Sequence, residues 1–295
     1  GVSSGLGVAT ARALASKGYN VIAAARERKN APSAMAQAGA EAKNGGGLEL
    51  IALDLADLAS VRACADQIVA AGKPLDLVIN NAGVMACPFM RTADGFEMQF
   101  GTNHLGHFVL TNRIASLLRP GARVVALSSS GHRFADDDLD DPDFARGAYD
   151  PWVAYGRSKT ANVLFAVAFD RRHRGRGVRA AAVHPGGILT ELSRHIGEAG
   201  IAASVERLRA ALAAAGKPPF QFKTVPQGAA TSVWAGVVAP ADEVGGRYCE
   251  DCHVTTLVTD APLDPSSGGV RPYALDPARA AALWARSEEL VGERF

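Results

Sequence analysis

A tyrosine and a lysine four residues apart, Tyr155 and Lys159, are the residues of this sequence best suited to acid–base chemistry. On a helix, that spacing puts both side chains on one face, about 5–6 Å apart at Cβ. A phenol with a pKa of about 10 exchanges protons poorly near neutral pH, and a neighbouring ammonium group favours its ionised form. The pair is therefore a candidate general acid and base. Solvated helix faces often carry the same two residues, so its meaning depends on the elements around it.

Length and composition narrow the classes of protein to consider. The chain has 295 residues, of which 48% are hydrophobic, enough for the core of one α/β domain. A net charge of +1 gives no reason to expect a nucleic-acid partner. Four cysteines do not form a disulfide framework, and they fit a reducing, cytoplasmic location. No apolar run reaches the roughly 18 residues that span a bilayer, so we expect no membrane segment in this sequence.

One cysteine pair has the spacing of a metal site. The run is Cys249-Glu250-Asp251-Cys252-His253. A tetrahedral structural zinc site needs a second pair of ligands, and none lies nearby in the sequence. We therefore expect no metal.

Apolar segments alternate with helical patterns along most of the chain. The strand segments are 21–25, 48–53, 75–79, 123–127, 178–183 and, as the last strand, 246–249. The helical segments are 33–43, 58–71, 100–118, 153–169, 226–238 and 278–291. This alternation predicts right-handed βαβ units and an α/β fold with a parallel sheet, whose ligands bind at the carboxyl ends of the strands.

Several motifs fall at those carboxyl ends. Gly1-Val2-Ser3-Ser4-Gly5-Leu6-Gly7 predicts a turn that opens a helix. Such a turn lets the backbone approach a pyrophosphate, while the helix N-terminus supplies N–H donors and the positive end of the dipole. Asp54 and the run Asn80-Asn81-Ala82-Gly83 follow two further strands. These residues predict a nucleotide site at this edge of the sheet.

The residue after the strand at 21–25 indicates which nucleotide binds. In a dinucleotide fold, an acidic residue at this strand end binds the ribose 2′-OH, whereas an arginine accommodates a 2′-phosphate. Ala25 stands where the acid would be, and Arg26 follows it. This favours NADP(H) over NAD(H), with Arg28 and Lys29 as auxiliary cations.

Taken together, these motifs resemble the short-chain dehydrogenase/reductase family in their order and spacing. The motifs are Gly1/Gly5/Gly7, Asn80 to Gly83, Asn103, Ser129, Tyr155/Lys159 and Pro185-Gly186. The runs at 102–108 and 155–165, and the long interval between Ser129 and Tyr155, are similar to one branch of the family. That branch contains retinol dehydrogenases, the WW-domain-containing oxidoreductase and protochlorophyllide oxidoreductase.

The resemblance implies a single domain over 1–295 with a Rossmann-type doubly wound parallel sheet of order 3-2-1-4-5-6-7. The first strand of that order is missing before Gly1. We therefore expect the natural polypeptide to carry several apolar residues and a threonine before Gly1. Residues 189–225, rich in alanine, are expected to form a flap over the site. Homo-oligomers are common in this family, built on the helices at 101–118 and 153–173, and the sequence leaves both a monomer and a homodimer open.

The resemblance also implies a role for each catalytic candidate. Tyr155 would exchange the proton, and its pKa would have to fall by about 3 units to act near pH 7. Lys159 would lower that pKa together with the oxidised nicotinamide, and would bind the nicotinamide ribose. Ser129 would donate a hydrogen bond to the carbonyl oxygen of the substrate, with the two adjacent serines as alternatives. Asn103 would bend its helix and hold a water that relays protons to Lys159.

The cofactor contacts implied by the resemblance extend along the whole edge. The pyrophosphate would be lined by Gly1, Ser3, Ser4, Gly5, Leu6 and Gly7, and the 2′-phosphate by Arg26. The adenine would contact Asp54 and Leu55, and the adenosine would contact Asn81, Ala82 and Gly83. The nicotinamide would contact Pro185, Gly187 and Thr190, beside Tyr155 and Lys159. His184 is expected to be structural rather than catalytic.

The sequence thus predicts an NADP(H)-dependent oxidoreductase acting on a small lipophilic carbonyl or alcohol. The apolar flap residues that suggest such a substrate are Leu189, Leu192, Ile196, Ile201, Leu208 and Leu212. A tetrapyrrole reductase is a rival enzyme, disfavoured because the segment before Tyr155 contains no cysteine. A cofactor-binding regulator or scaffold without turnover is the rival from another class, disfavoured because Asn103, Ser129, Tyr155 and Lys159 are all present.

Overall fold

A computed structural model describes residues 1–26, 39, 42–135, 141–259 and 268–295. Most of the helix expected at 33–43 lies outside these residues, as do Arg28 and Lys29. Within the described ranges, no helix is both long enough and apolar enough to cross a bilayer.

Strands and helices alternate through most of the described chain. The strands are β1 Asn20–Ala25, β2 Gly47–Ala52, β3 Leu75–Asn80, β4 Leu118–Leu127, β5 Arg179–His184, β6 Tyr248–Glu250 and β7 His253–Val254. The helices are α1 Gly5–Ala15, α2 Leu58–Ala71, α3 Met98–Phe100, α4 Gly106–Arg113, α5 Pro151–His173, α6 Gly197–Ala214, α7 Val225–Val233, α8 Ala241–Val244 and α9 Pro277–Val291. The predicted α/β class is confirmed.

The described strands form two sheets, where a single sheet is expected. β1 pairs in parallel with β2, and β3, β4, β5 and β6 form a second parallel sheet. Gly1 lies between the two sheets: its amine donates to the Ala24 carbonyl (2.7 Å), and its carbonyl accepts from Asn81 Nδ2 (3.1 Å). Apart from the strand expected before Gly1, strands that are neighbours in the predicted order 3-2-1-4-5-6-7 are also neighbours in the structure.

The strand expected at 246–249 is not the last one. After β6 the chain reverses through a two-residue turn, and β7 pairs antiparallel with β6. The turn residues, Asp251 and Cys252, both have positive φ, the backbone form that matches the twist of a tight hairpin.

Helices cover both faces of the larger sheet because successive side chains along a strand point to opposite sides. Val124 and Ala126 of β4 belong to the core shared with α2, α4, α5 and α9. Val125 and Leu127 belong to a second core on the opposite face, shared with the π-helix Trp234–Val238 that continues α7. This is the doubly wound arrangement that the resemblance implies.

The helix predicted at 100–118 is broken into shorter pieces. A π-helix, Gly101–Leu105, separates α3 from α4, and β4 already begins at Leu118. Gly106 follows the π-helix at a point of close approach, where a Cβ would lie 2.5 Å from the Leu55 carbonyl oxygen. Leu118 is buried and pairs with Leu75, so tertiary packing places it in the sheet rather than in the helix.

The C-terminal helix covers the outer side of α5. Trp284 of α9 stacks on Phe165, with 6.1 Å between ring centroids, and the Arg172 guanidinium lies 4.0 Å from the Trp284 ring centroid. His104 Nε2 hydrogen-bonds with Ser287 Oγ of α9 (2.8 Å). These residues of α5 are therefore covered by the chain itself, and the homodimer stays a prediction.

Candidate active site

A cleft of about 1080 Å³ lies at the carboxyl ends of the parallel strands. Of the cofactor residues expected from the sequence, those that line it are Gly1, Ser3, Ser4, Gly5, Leu6, Arg26, Asp54, Leu55, Asn81, Ala82, Gly83, Tyr155, Lys159, Pro185, Gly187 and Thr190. Ser129 also lines it. Gly7 and Asn103 lie behind the wall, where both are buried.

The glycine-rich turn is shaped by contacts that exclude side chains. Gly5 has φ +60°, a conformation that favours glycine, and a Cβ there would lie 3.2 Å from Thr190 Cγ2. At Gly7 a Cβ would lie 1.8 Å from the Gly1 carbonyl oxygen, so the turn can close only on glycine. Ser4 is the N-cap of α1 and makes no side-chain cap hydrogen bond. This backbone cradle at a helix N-terminus fits a pyrophosphate group.

The end of the cleft that is expected to hold the adenosine is polar. Arg26 is exposed at the end of β1 and lines the cleft. Asp54 follows β2, and its Oδ1 accepts from the Ala56 N–H (3.0 Å), which orients the carboxylate. Leu55 beside it is buried. The arrangement offers a guanidinium near an apolar and hydrogen-bonding floor, which fits an adenosine with a 2′-phosphate.

The catalytic candidates of α5 are placed by the start of that helix. Asp150 caps it, accepting from the N–H groups of Trp152 (2.8 Å) and Val153 (2.9 Å). Tyr155 and Lys159 are each only 4% exposed, although both line the cleft. Lys159 Nζ lies 5.5 Å from the Tyr155 ring centroid and donates to the Leu127 carbonyl at the end of β4 (3.1 Å).

The three serines after β4 differ in where their hydroxyl groups lie. Ser128 is buried, and its Oγ donates to the Lys159 carbonyl (2.9 Å). Ser129 Oγ accepts from the Gly131 N–H (3.1 Å) and hydrogen-bonds with Tyr155. Ser130 lines the cleft and begins a 3-10 helix. Of the three hydroxyls, that of Ser129 contacts Tyr155. The bond from the Gly131 N–H uses a lone pair of Ser129 Oγ, so the hydroxyl hydrogen stays available for donation.

The chain's own groups raise the pKa of Tyr155, whereas the expected depression relies on oxidised nicotinamide as well as on Lys159 and stays a prediction. Burial raises the pKa of Tyr155 to about 12, and the hydrogen bond with Ser129 lowers it only in part. Burial also lowers the pKa of Lys159 to about 8. Desolvation therefore dominates both groups, and Tyr155 holds its proton at neutral pH.

The side chain of Asn103 joins two elements behind the cleft. Its Oδ1 accepts from the Val84 N–H (2.8 Å), and its Nδ2 donates to the Val84 carbonyl and to Ser158 Oγ (both 2.9 Å). His107 Nδ1 donates to the Asn103 carbonyl (2.9 Å). Asn103 lies in the π-helix, as the expected distortion requires. Since protein groups take both of its amide hydrogens, the water relay stays a prediction.

The hydrogen bonding of His184 agrees with the expected structural role. Its Nδ1 accepts from the Gly186 N–H (3.4 Å), which orders the turn after β5. Burial lowers the pKa of His184 to about 3, so the imidazole is neutral.

The apolar end of the cleft is formed largely by the flap. All six apolar flap residues expected from the sequence line it, namely Leu189, Leu192, Ile196, Ile201, Leu208 and Leu212. Sequence reasoning missed the opposite wall, which comprises Met85, Met98, Thr102, Phe134 and Trp152. These residues come from loops and helix starts with no shared pattern, so only folding brings them together.

Gly131 is a further residue that sequence reasoning missed. A Cβ there would lie 3.0 Å from Tyr155 Cε1 and 3.5 Å from Ser129 Oγ. The glycine therefore lets the tyrosine ring lie against the backbone after Ser129. Its position directly after three serines is the signal that could have indicated it.

The two cysteines of the run at 249–253 are divided between the interior and the surface. All four cysteines are free, with Cys249 buried and Cys252 exposed. Among the described residues, no group of three or more histidine, cysteine, aspartate or glutamate side chains could hold a metal ion.

Comparison with known sequences gives close relatives over nearly the full chain. A family model described as enoyl-(acyl carrier protein) reductase matches residues 1–219. A "Probable oxidoreductase" of Streptomyces lividans is 43% identical over 292 residues, 96% of this chain and 93% of that protein. Human retinol dehydrogenase 14 is 39% identical, over 99% of this chain and 84% of that protein.

Solved structures share the fold. An uncharacterised protein from Mycobacterium paratuberculosis is 34% identical, with a TM-score of 0.74 over 100% of this chain and 92% of that chain. A short chain dehydrogenase from Burkholderia cenocepacia, crystallised with NADP, is 24% identical, with a TM-score of 0.65 over 85% of this chain and 93% of that chain. On these matches and on the geometry of the cleft, the chain is a member of the short-chain dehydrogenase/reductase family of oxidoreductases.

Proposed function

We propose that this protein is an NADP(H)-dependent oxidoreductase that transfers a hydride between the nicotinamide and a lipophilic carbonyl or alcohol. The observation that carries the proposal is the shared cleft. Ser129, Tyr155 and Lys159 line one part of it, and the glycine-rich turn with Arg26 lines the other. A nucleotide bound along that cleft would extend from the arginine to the tyrosine.

The relatives support both parts of the proposal. The Burkholderia cenocepacia structure, which shares the fold, contains NADP. Retinol dehydrogenase 14 is named for an apolar alcohol, and the far end of the present cleft is lined by leucine, isoleucine and methionine side chains.

In the proposed reaction, bound NADPH supplies a hydride from C4 of its nicotinamide. Tyr155 holds a proton at neutral pH, and its hydroxyl would give that proton to the carbonyl oxygen of the substrate. Ser129 would donate a hydrogen bond to the same oxygen, since it lines the cleft and the bond that its Oγ accepts from the Gly131 N–H does not use its hydrogen. Lys159 would hold positive charge beside the tyrosine, from one turn further along α5.

Two rival functions make different predictions. A regulator or scaffold would bind NADP(H) with no turnover of any substrate. A tetrapyrrole reductase would act on that substrate class and not on simple carbonyls. Tyr155 and Lys159 support the oxidoreductase, because a regulator has no need of buried acid–base groups that face a cleft.

The test is NADPH oxidation screened against aldehydes, ketones, quinones, retinoids and tetrapyrroles, with wild-type protein and Arg26→Asp. We expect turnover of apolar carbonyls and a preference for NADPH over NADH that moves toward NADH in the variant. Arg209→Asp is the control, because Arg209 is exposed on α6 and does not line the cleft. Binding of NADPH without turnover of any compound would favour the regulator. An unmoved cofactor ratio would place recognition of the 2′-phosphate away from Arg26.

A further inference from the structure

The C-terminal end of the flap passes over the turn that follows β5. The Lys223 N–H donates to the Gly187 carbonyl (2.9 Å). The Lys223 side chain covers Gly186, where a Cβ would lie 2.8 Å from both its Cδ and its Nζ. This turn carries Pro185 and Gly187, the residues assigned above to the nicotinamide. Lys223 itself lines the cleft.

The ammonium group of Lys223 forms an ion pair with Asp251, which also lines the cleft. Asp251 belongs to the turn between β6 and β7, a different element from the flap. The pair thus joins the end of the flap to the edge of the sheet. The Lys223 and Asp251 side chains are 29% and 63% exposed, so salt in solution can screen their attraction.

The turn that carries Asp251 has an unusual backbone. Asp251 has φ +49° and Cys252 has φ +56°. Tight hairpins of this kind favour asparagine, aspartate or glycine, so cysteine at the second position is poorly suited. Strained backbone positions persist where the surroundings require them, and they often lie at ligand sites. Here the turn presents the carboxylate to Lys223.

The flap helix α6 is only shallowly buried. Along α6, all of which the structure describes, Leu212 is the one buried residue. Segments with few buried contacts open locally at low free energy, so a single ion pair can change how often they open.

We propose that Lys223 and Asp251 form a latch that holds the flap over the nicotinamide end of the cleft and thereby sets the rate at which cofactor leaves. This inference rests on the proposed function for its cofactor, but closure of the flap can be measured without any cofactor. Lys223 and Asp251 are positioning residues in this proposal, because they act through the flap and the turn after β5.

The turn allows a matched pair of variants. Asp251→Gly removes the carboxylate and keeps a residue type that the turn favours, whereas Cys252→Gly relieves the unfavourable backbone at the second position and keeps the carboxylate. Both are expected to keep or raise the melting temperature. Hydrogen exchange of flap peptides within 197–216 in the full chain without cofactor should be about two- to fivefold faster in Asp251→Gly and unchanged in Cys252→Gly. Lys223→Met should match Asp251→Gly, and the double variant should add nothing further.

Stopped-flow release of NADPH gives the second readout. We expect release about two- to fivefold faster in Asp251→Gly and Lys223→Met, with the difference from wild type decreasing at high salt. Equal flap exchange in the two glycine variants, or an additive double variant, would overturn the latch. Unchanged NADPH release from a loosened flap would overturn its effect on the cofactor. Wild-type protein that binds no NADPH would instead refute the proposed function, while the exchange result would still decide whether the latch exists.

Discussion

The two walls of the cleft are built differently. Around Tyr155 and Lys159, polar side chains are tied to backbone groups of other elements: Thr160 Oγ1 donates to the Ala135 carbonyl (2.7 Å) and Asn162 Nδ2 donates to the Leu127 carbonyl (2.8 Å). The flap wall has one buried residue along α6 and is joined to the sheet edge through Lys223. The groups that would perform chemistry are thus held rigidly, whereas the groups that would meet the apolar part of a substrate are held loosely.

The largest expected effect is on the rigid wall. Tyr155→Phe should reduce kcat/KM about a thousandfold, because it removes the proton donor. This corresponds to a loss of several kcal/mol in transition-state stabilisation, while NADPH binding changes little. Steady-state kinetics and a fluorescence titration with NADPH measure the two quantities. Tyr19→Phe is the control, since Tyr19 does not line the cleft. Unchanged turnover in Tyr155→Phe would end the acid–base assignment.

Burial of Lys159 predicts a pH dependence of stability. Its pKa is lowered to about 8 in the folded chain from an ordinary 10.5, so the unfolded state binds more protons between these values. The contribution of Lys159 to the free energy of unfolding should therefore rise with pH across this window, by up to about 3 kcal/mol. Lys159→Met should remove that rise.

Urea unfolding at pH 7.5 and pH 10 measures the difference. Burial also raises the pKa of Cys64 to about 11 and the pKa values of Cys249 and Tyr155 to about 12, which lowers stability as the pH rises. These contributions are common to wild type and Lys159→Met, so the difference between the two proteins isolates Lys159. Lys73→Met is the matched control, because Lys73 is exposed. Parallel curves for wild type and Lys159→Met would show that Lys159 is solvated rather than buried.

Substitution of Gly131 tests how closely the Tyr155 ring packs against the backbone. An alanine Cβ would lie 3.0 Å from Tyr155 Cε1, so the ring or the backbone must shift by a few tenths of an ångström. We expect Gly131→Ala to lower kcat about tenfold, because small misplacements of a catalytic group are costly. Gly147→Ala should leave kcat unchanged, since nothing lies within 4 Å of a Cβ there. Equal kcat values would mean that the ring can move without cost.

The smallest effect is expected on the flap. Leu208 is half-buried and lines the cleft, so Leu208→Ala should lower kcat/KM about fivefold for a long apolar aldehyde relative to a short one. Kinetics with an aldehyde series measures this ratio. Val69→Ala, at an exposed position on α2, serves as the control. If kcat/KM fell by the same factor for every aldehyde, Leu208 would act on the catalytic groups rather than on the apolar part of the substrate.

Local patterns predicted much of the fold. Helices at 58–71 and 278–291 and most strands of the parallel sheets lie within a residue or two of their predicted bounds, because their apolar periodicity agrees with the packing they enter. The exception is β4, which begins at Leu118 rather than at 123. The segment 100–118 fails for a tertiary reason. Leu118 enters the sheet, and the region around Asn103 becomes a π-helix in contact with Val84 and Ser158.

The sequence by itself determined the edge at which the cleft lies, because glycine-rich turns and polar residues follow predicted strands, and it determined the spacing of Tyr155 and Lys159 on one helix face. Only the tertiary structure decided the protonation of that pair, since desolvation depends on everything that surrounds a group. It also decided which serine contacts the tyrosine, and that α9 covers α5. Contacts between residues far apart in the chain carry no local signal, so these features could not be predicted from spacing alone.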